Sequence, residues 1–227
     1  MSLDRVLITG GASGLGAAVA TAVAKSGGQA FVLDRQAPDD GVDHAIVDLA
    51  DSAATDAAVR AAAERLGGFD GVVCCAGIDS CGRLEDVPAA DWERVIQVNL
   101  VGTATVARAA LDGLRQRHGR LVTIASTLGL RALPDASAYC ASKFGVVGLT
   151  RALATELAGD VGVTLVIPGG MQTSFFDGRL EQYRPPEDAQ LNPPEQVARA
   201  IAFALETPAG TEIRELVVTP SQEPSWP

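Results

Sequence analysis

Arg5 to Thr9 (RVLIT) is a short β-rich run that leads directly into Gly10-Gly11-Ala12-Ser13-Gly14-Leu15-Gly16 and then a helical stretch to Ser26. Few folds accept a strand, a glycine turn and a helix in that order. The glycines let the backbone turn sharply and come close to a ligand. The helix that follows presents free N–H groups and the positive end of its dipole, which suits a pyrophosphate. Alone, such a turn is a weak signal, and the competing reading is a plain strand–helix connection. Placed between a strand and a helix at the start of a βαβ unit, it reads as a nucleotide-binding turn. Gly10, Ser13, Gly14, Leu15 and Gly16 are its candidate ligand contacts.

The same alternation continues. Strands are predicted at Ala30–Leu33, Asp43–Val47, Gly71–Cys75, Arg120–Ala125, Val161–Ile167 and Glu215–Thr219. Helices are predicted at Ser52–Leu66, Asp91–Val98, Val101–Arg117, Ser137–Leu157 and Pro194–Leu205. Several strands are continuous Val/Ile/Leu runs, as expected of strands covered on both faces. Repeated strand–helix–strand units with right-handed crossovers imply an α/β, Rossmann-like, doubly wound parallel sheet of about seven strands. No linker divides the 227 residues, so residues 1–227 are expected to form a single domain.

The net charge is −10. An acidic surface disfavours nucleic acid, anionic membranes and, weakly, acidic carrier proteins as partners. No apolar run approaches the ~20 residues of a membrane helix, and no signal-type segment stands between Met1 and the first strand. Cys74, Cys75, Cys81 and Cys140 lack paired metal-site spacing, so no metal is expected, and they read as reduced thiols of a cytoplasmic protein. Adjacent Cys74 and Cys75 should point to opposite faces of their strand.

Asp34 ends the second strand. Its carboxylate can accept bonds from ribose hydroxyls and repels a 2′-phosphate, which favours NAD over NADP. Arg35 beside it could instead hold that phosphate. Asp48, followed by Leu49, ends the third strand and is placed at the adenine edge; a helix N-cap role competes for Asp48. Tyr139-Cys140-Ala141-Ser142-Lys143 sets a phenol and an ammonium at i and i+4, on one helix face. The ammonium should lower the phenol's pKa towards the range useful for acid–base catalysis. Ser126 ends a strand at the carboxyl edge of the sheet, where ligands bind in open α/β folds.

TGGASGLG at 9–16, Asp34, VNL around Asn99, IAS at 124–126, YCASK at 139–143 and PGGMQT at 168–173 run in the order found in short-chain dehydrogenases/reductases. The chain resembles the compact, single-domain form of that family. The resemblance implies a nicotinamide-dependent oxidoreductase acting on CH–OH groups. Tyr139 would be the general acid–base, Lys143 would tune it and bind the nicotinamide ribose, and Ser126 would bond the substrate oxygen. Asn99 would hold the water of a proton relay to Lys143. Pro168, Gly169 and Thr173 would line the nicotinamide and its phosphate.

Two departures stand out. The family's usual Asn-Asn-Ala-Gly is Cys74-Cys75-Ala76-Gly77 here; Ala76 and Gly77 still let the backbone approach the cofactor, and the lost amides bear on local stability. The family's frequent Asp-Gly-Gly near the end is replaced by a chain running Val217 to Glu223.

Leu128, Leu130, Leu133, Phe175, Phe176 and Tyr183 are expected to line an apolar substrate pocket, with a substrate loop at about 173–193; ordinary loop packing is the competing reading. Arg179 and Arg184 read as solvated charges, or else as partners of a substrate carboxylate. NADP-dependent 3-oxoacyl reduction and a non-catalytic, nucleotide-binding redox sensor are the competing functions. The resemblance also implies a homodimer or homotetramer built through residues 101–117 and 137–157.

Overall fold

The computed structural model describes residues 4–38, 41–208 and 210–225; Met1 lies outside them. Among these residues seven strands, β1 (Arg5–Thr9), β2 (Gln29–Asp34), β3 (Asp43–Ile46), β4 (Gly71–Cys74), β5 (Arg120–Ile124), β6 (Gly162–Pro168) and β7 (Glu215–Val218), form one parallel sheet. Their order is β3-β2-β1-β4-β5-β6-β7. The chain winds outward from β1 to β3, then returns to place β4 on the other side of β1. The loops leaving β1 and β4 therefore diverge and open a crevice at the carboxyl edge.

Among the described residues, six α-helices cover the sheet: α1 (Gly14–Lys25), α2 (Ser52–Leu66), α3 (Ala89–Ile96), α4 (Thr103–Arg117), α5 (Ser137–Glu156) and α6 (Pro194–Glu206). Successive side chains of a strand point to opposite faces, and the core divides accordingly. Leu7, Leu33, Val72, Leu121 and Val163 pack with α2 and α4. Val6, Ile8, Val32, Val73 and Val122 pack with α1 and α6. Leu165 and Ile167 meet α5 through Val146 and Val147. Burying each such side chain contributes about 2 kcal/mol.

Cys74 joins the first core and Cys75 packs against the second, so the adjacent thiols do face opposite ways. All four cysteines are free. Burial pushes the Cys74 thiol up to about 12, and that of Cys75 upward too. These side chains fill space as small apolar groups.

Local signals explain the helix ends. The Asp51 carboxylate accepts from Ala54 N and caps α2 at its start, while Gly67, at φ 69°, closes it in the left-handed region. Pro194 opens α6, where a missing N–H is harmless.

The largest departure from the sequence expectation lies between α3 and α4. Val98 was expected to end one helix and Val101 to begin the next; instead Gln97–Gly102 is a π-helical segment that joins α3 to α4. Periodicity cannot reveal a single wide turn that needs one extra residue. Such turns recur at functional sites, and this one carries Asn99.

Candidate active site

One cleft of about 1280 Å³ runs along the carboxyl edge of the sheet. Of the residues singled out above as catalytic or cofactor-binding, all but Asn99 line it.

At one end is the glycine turn. Gly10 has φ 69°, and a Cβ there would lie 2.7 Å from the Ala76 Cα. A Cβ on Gly16 would collide with the Gly10 carbonyl oxygen. Thr9 Oγ1 accepts from Ala76 N at 3.2 Å and ties the ends of β1 and β4 together. Ser13, the N-cap of α1, makes no side-chain capping bond, and the first turn of α1 holds no acid. The N–H groups at that helix end are therefore free to meet an anion. This cradle fits a dinucleotide pyrophosphate.

Asp34 braces the turn. Its Oδ2 accepts from Ala12 N at 3.0 Å and its Oδ1 from Gln36 N at 3.1 Å. Asp48 is not the cap of α2; Asp51 is. Asp48 accepts from Ala50 N and pairs with Arg94 at 2.7 Å, and the Arg94 hydrogen bond is the main cause holding its carboxyl below the usual range. Arg94 lines the cleft, and no sequence motif pointed to it.

At the other end, Ser126, Tyr139 and Lys143 meet. Ser126 Oγ accepts from Leu128 N at 3.1 Å, which fixes the turn that starts there. Tyr139 and Lys143 share one face of α5, with the Lys143 Nζ 5.5 Å from the Tyr139 ring centroid. Lys143 is only 4% exposed and donates to the Ile124 carbonyl at 2.9 Å.

The expectation that Lys143 lowers the Tyr139 pKa needs correction. Burial pushes the phenol well above its usual range, and hydrogen bonding to Ser126 opposes that rise. Lys143 itself is depressed to about 8, again chiefly by burial. Lys143 is buried while Tyr139 is half-buried in the cleft wall, and the ammonium is turned to a neutral carbonyl.

Asn99 stands behind the cleft and is 1% exposed. Its Oδ1 accepts from Ile78 N at 2.8 Å; its Nδ2 donates to Ile78 O at 2.9 Å and to Ser142 Oγ at 3.0 Å. Ser142 Oγ in turn donates to the Tyr139 carbonyl at 2.8 Å. The carboxamide thus joins the loop after β4 to the Tyr139 turn. Both of its side-chain donors are thereby used. The Asn99 main-chain carbonyl accepts from Thr103 Oγ1 at 2.7 Å.

Phe175, Phe176, Tyr183, Leu128 and Leu133 line the cleft, whereas Leu130 packs into the core below α5. Phe175 lies 5.5 Å from the Tyr139 ring. Arg179 is not a solvated charge, and it lines the cleft. It pairs with Asp79 at 2.6 Å, with side chains 17% and 7% exposed. Its guanidinium also sits 5.0 Å from Phe175 and 4.7 Å from Phe176. Arg184, by contrast, is exposed and donates to the Arg179 carbonyl. No local motif could have found the Asp79–Arg179 pair, whose members are 100 residues apart.

This pair latches the segment after Thr173 to the loop after β4. Breaking it leaves Asp79 buried and uncompensated, a strongly unfavourable state. Arg179→Met is expected to raise the substrate KM about tenfold by loosening the loop, a loss of about 1.4 kcal/mol in binding. The cofactor Kd should stay constant; an unchanged substrate KM would remove the latch.

A doubly wound sheet, a pyrophosphate cradle and a Ser–Tyr–Lys cluster at opposite ends of one cleft define a nucleotide-dependent oxidoreductase class. The short chain dehydrogenase family model matches residues 4–184, and the chain belongs to that family. It is an oxidoreductase of the class that acts on CH–OH groups with NAD(P). It is 32% identical to 2-(S)-hydroxypropyl-CoM dehydrogenase 3 of Xanthobacter autotrophicus, across 88% of each chain. It is also 32% identical to glycine betaine reductase ATRR of Emericella nidulans, across 96% of this chain but only 19% of that protein's length. An alcohol dehydrogenase from the archaeon Thermococcus sibiricus, solved with 5-hydroxy-NADP, superposes with a TM-score of 0.85 at 25% identity, over 95% of each chain. Among the described residues, no helix is long and apolar enough to cross a membrane.

Proposed function

We propose that residues 1–227 act as one nucleotide-binding domain that interconverts a secondary alcohol and a ketone with NAD(H). The observation that carries this reading is the convergence of Ser126, Tyr139 and Lys143 at the cleft end opposite Asp34. The bound nicotinamide supplies or accepts the hydride.

The chain's own residues do the rest. The Ser126 hydroxyl bonds the substrate oxygen. The Tyr139 phenol gives that oxygen a proton in reduction and takes it back in oxidation. A protonated Lys143 steadies the charge that forms on Tyr139 and bonds the nicotinamide ribose. Gly10, Ser13, Gly14, Leu15 and Gly16 receive the pyrophosphate, while Asp48 and Leu49 flank the adenine. Ala76, Gly77, Pro168, Gly169 and Thr173 line the path to the nicotinamide. Asn99 acts as a positioning residue and reaches any relay to Lys143 through its main-chain carbonyl. A small, predominantly apolar substrate suits the Phe175–Phe176 wall. A cytoplasmic homodimer or homotetramer through α4 and α5 belongs to the same reading, and Phe144 on α5 is an exposed apolar group on that surface.

Asp34 supports NAD, because a 2′-phosphate would approach a carboxylate already fixed by two N–H groups. NADP use is the second reading, favoured by the exposed Arg35 on the same stretch of cleft wall. A panel of ketones and secondary alcohols, followed at the nicotinamide absorbance band with each cofactor, tests both readings. We expect turnover with NADH and a kcat/KM about a hundredfold lower with NADPH, a difference of about 2.7 kcal/mol. Equal use would remove the role given to Asp34. No turnover of any compound despite bound NADH would favour a nucleotide-binding sensor.

A further inference from the structure

After β7 the chain does not leave the molecule but crosses back over the cleft. Glu223 Oε2 accepts from Gly170 N at 2.9 Å, and its Oε1 accepts from the Ser225 backbone N–H at 3.1 Å and hydroxyl at 2.6 Å. Ser225 Oγ bonds Thr127 Oγ1 at 2.7 Å, and Arg131 donates to the Pro224 carbonyl at 3.3 Å. The tail is thus pinned to two segments: one begins at Ser126, the other follows Pro168. Those segments flank the reacting end of the cleft, and Glu223 lines it. The carboxylate lies so close to Gly169 that a Cβ there would collide with it.

All the hydrogen-bond donors to Glu223 are neutral, and it forms no ion pair with Lys, Arg or His among the described residues. A carboxylate held by neutral donors, and not paired with Arg131 or Lys143, therefore lines the substrate end of a partly desolvated cleft, where Coulomb interactions are stronger than in water.

We propose that Glu223 is a specificity-determining residue that selects cationic and neutral carbonyl or alcohol substrates against those bearing a carboxylate or phosphate. This rests on the assignment of the reacting end to Ser126 and Tyr139. Unit charges several ångströms apart across such a cleft should discriminate about tenfold, less in high salt.

Three probes of one shape provide the test: cyclohexanone, 4-oxocyclohexanecarboxylate and 4-oxo-N,N,N-trimethylcyclohexanaminium. Each is titrated calorimetrically into the full chain with bound NADH, and turnover is followed in parallel. The wild type should bind the cation about tenfold tighter than the carboxylate. Glu223→Gln should bring that ratio close to one, and Glu223→Lys should invert it, with melting temperature checking that both variants fold. A wild type that fails to distinguish the two charges, or a ratio identical in all three proteins, would overturn the proposal. Charge-selective binding without turnover would leave the proposal standing and count instead against the oxidoreductase reading of the site.

Discussion

Tyr139→Phe is expected to lower kcat by about 10²- to 10⁴-fold, the range a positioned acid–base group contributes, while NADH affinity stays within about twofold. Phe keeps the ring that meets Phe175 at 5.5 Å and removes only the proton-bearing oxygen. Folding and the cleft wall should survive, so the loss would be confined to proton transfer. Retained turnover would rule Tyr139 out. The pH profile adds a second, independent reading. Burial raises the phenol, so Tyr139 stays protonated across the neutral range in the protein alone. Burial depresses Lys143 to about 8. A depressed amine holds its charge below its folded pKa and loses it as pH rises through that value. Because kcat/KM reports groups of the free enzyme, kcat/KM for NADH should fall as pH rises through about 8. Lys143→Met should flatten that limb and lower kcat. A profile identical in wild type and Lys143→Met would show that Lys143 does not titrate in the free enzyme.

What could be read in advance divides along a physical line. The strand–glycine–helix opening and the i, i+4 pair on α5 are local patterns, and each is fixed by backbone geometry within a few residues. The continuous apolar strands likewise follow from covering both faces of a sheet. Asp34 was readable because it ends a strand next to the glycine turn. The Asp79–Arg179 latch was not, since its members lie 100 residues apart and each alone looks like a surface charge. Glu223 was hidden for the same reason: only the return of the tail over Gly170 brings its carboxylate into the cleft. The Tyr139 pKa failed differently. Spacing shows that Lys143 is near, but the sign of the net effect depends on how far each group is desolvated, and only the folded structure carries that balance. The Asn99 carboxamide's bonds to Ile78 and Ser142 could not be read in advance, because the π-helical turn that carries Asn99 leaves no trace in the hydrophobic period.

Asn99 therefore carries the second large expectation. Asn99→Ala removes three side-chain hydrogen bonds from a site that is 1% exposed and strands the Ile78 N–H and C=O. Each stranded polar group costs about 1–3 kcal/mol, so a total near 3 kcal/mol is reasonable. For a chain of this size that corresponds to a fall in Tm of about 6–12 °C. Asn99→Asp should do at least as much harm at pH 7, because it keeps an acceptor, loses both donors and buries a charge. As pH falls through the raised pKa of that carboxyl, the protonated acid regains a donor, and the deficit of the Asp variant relative to Asn99→Ala should shrink. Unchanged Tm in the Ala variant would mean that the loop after β4 is held by other contacts. Kinetics then separate two roles for the residue. The main-chain carbonyl of residue 99 survives either substitution, so a relay through that carbonyl predicts a solvent isotope effect on kcat like that of the wild type, with a higher KM from the loosened Gly77–Ile78 loop. A relay through the carboxamide predicts a collapse of kcat with KM little changed. The bonds seen at Ile78 and Ser142 leave the carboxamide no free donor and favour the first outcome.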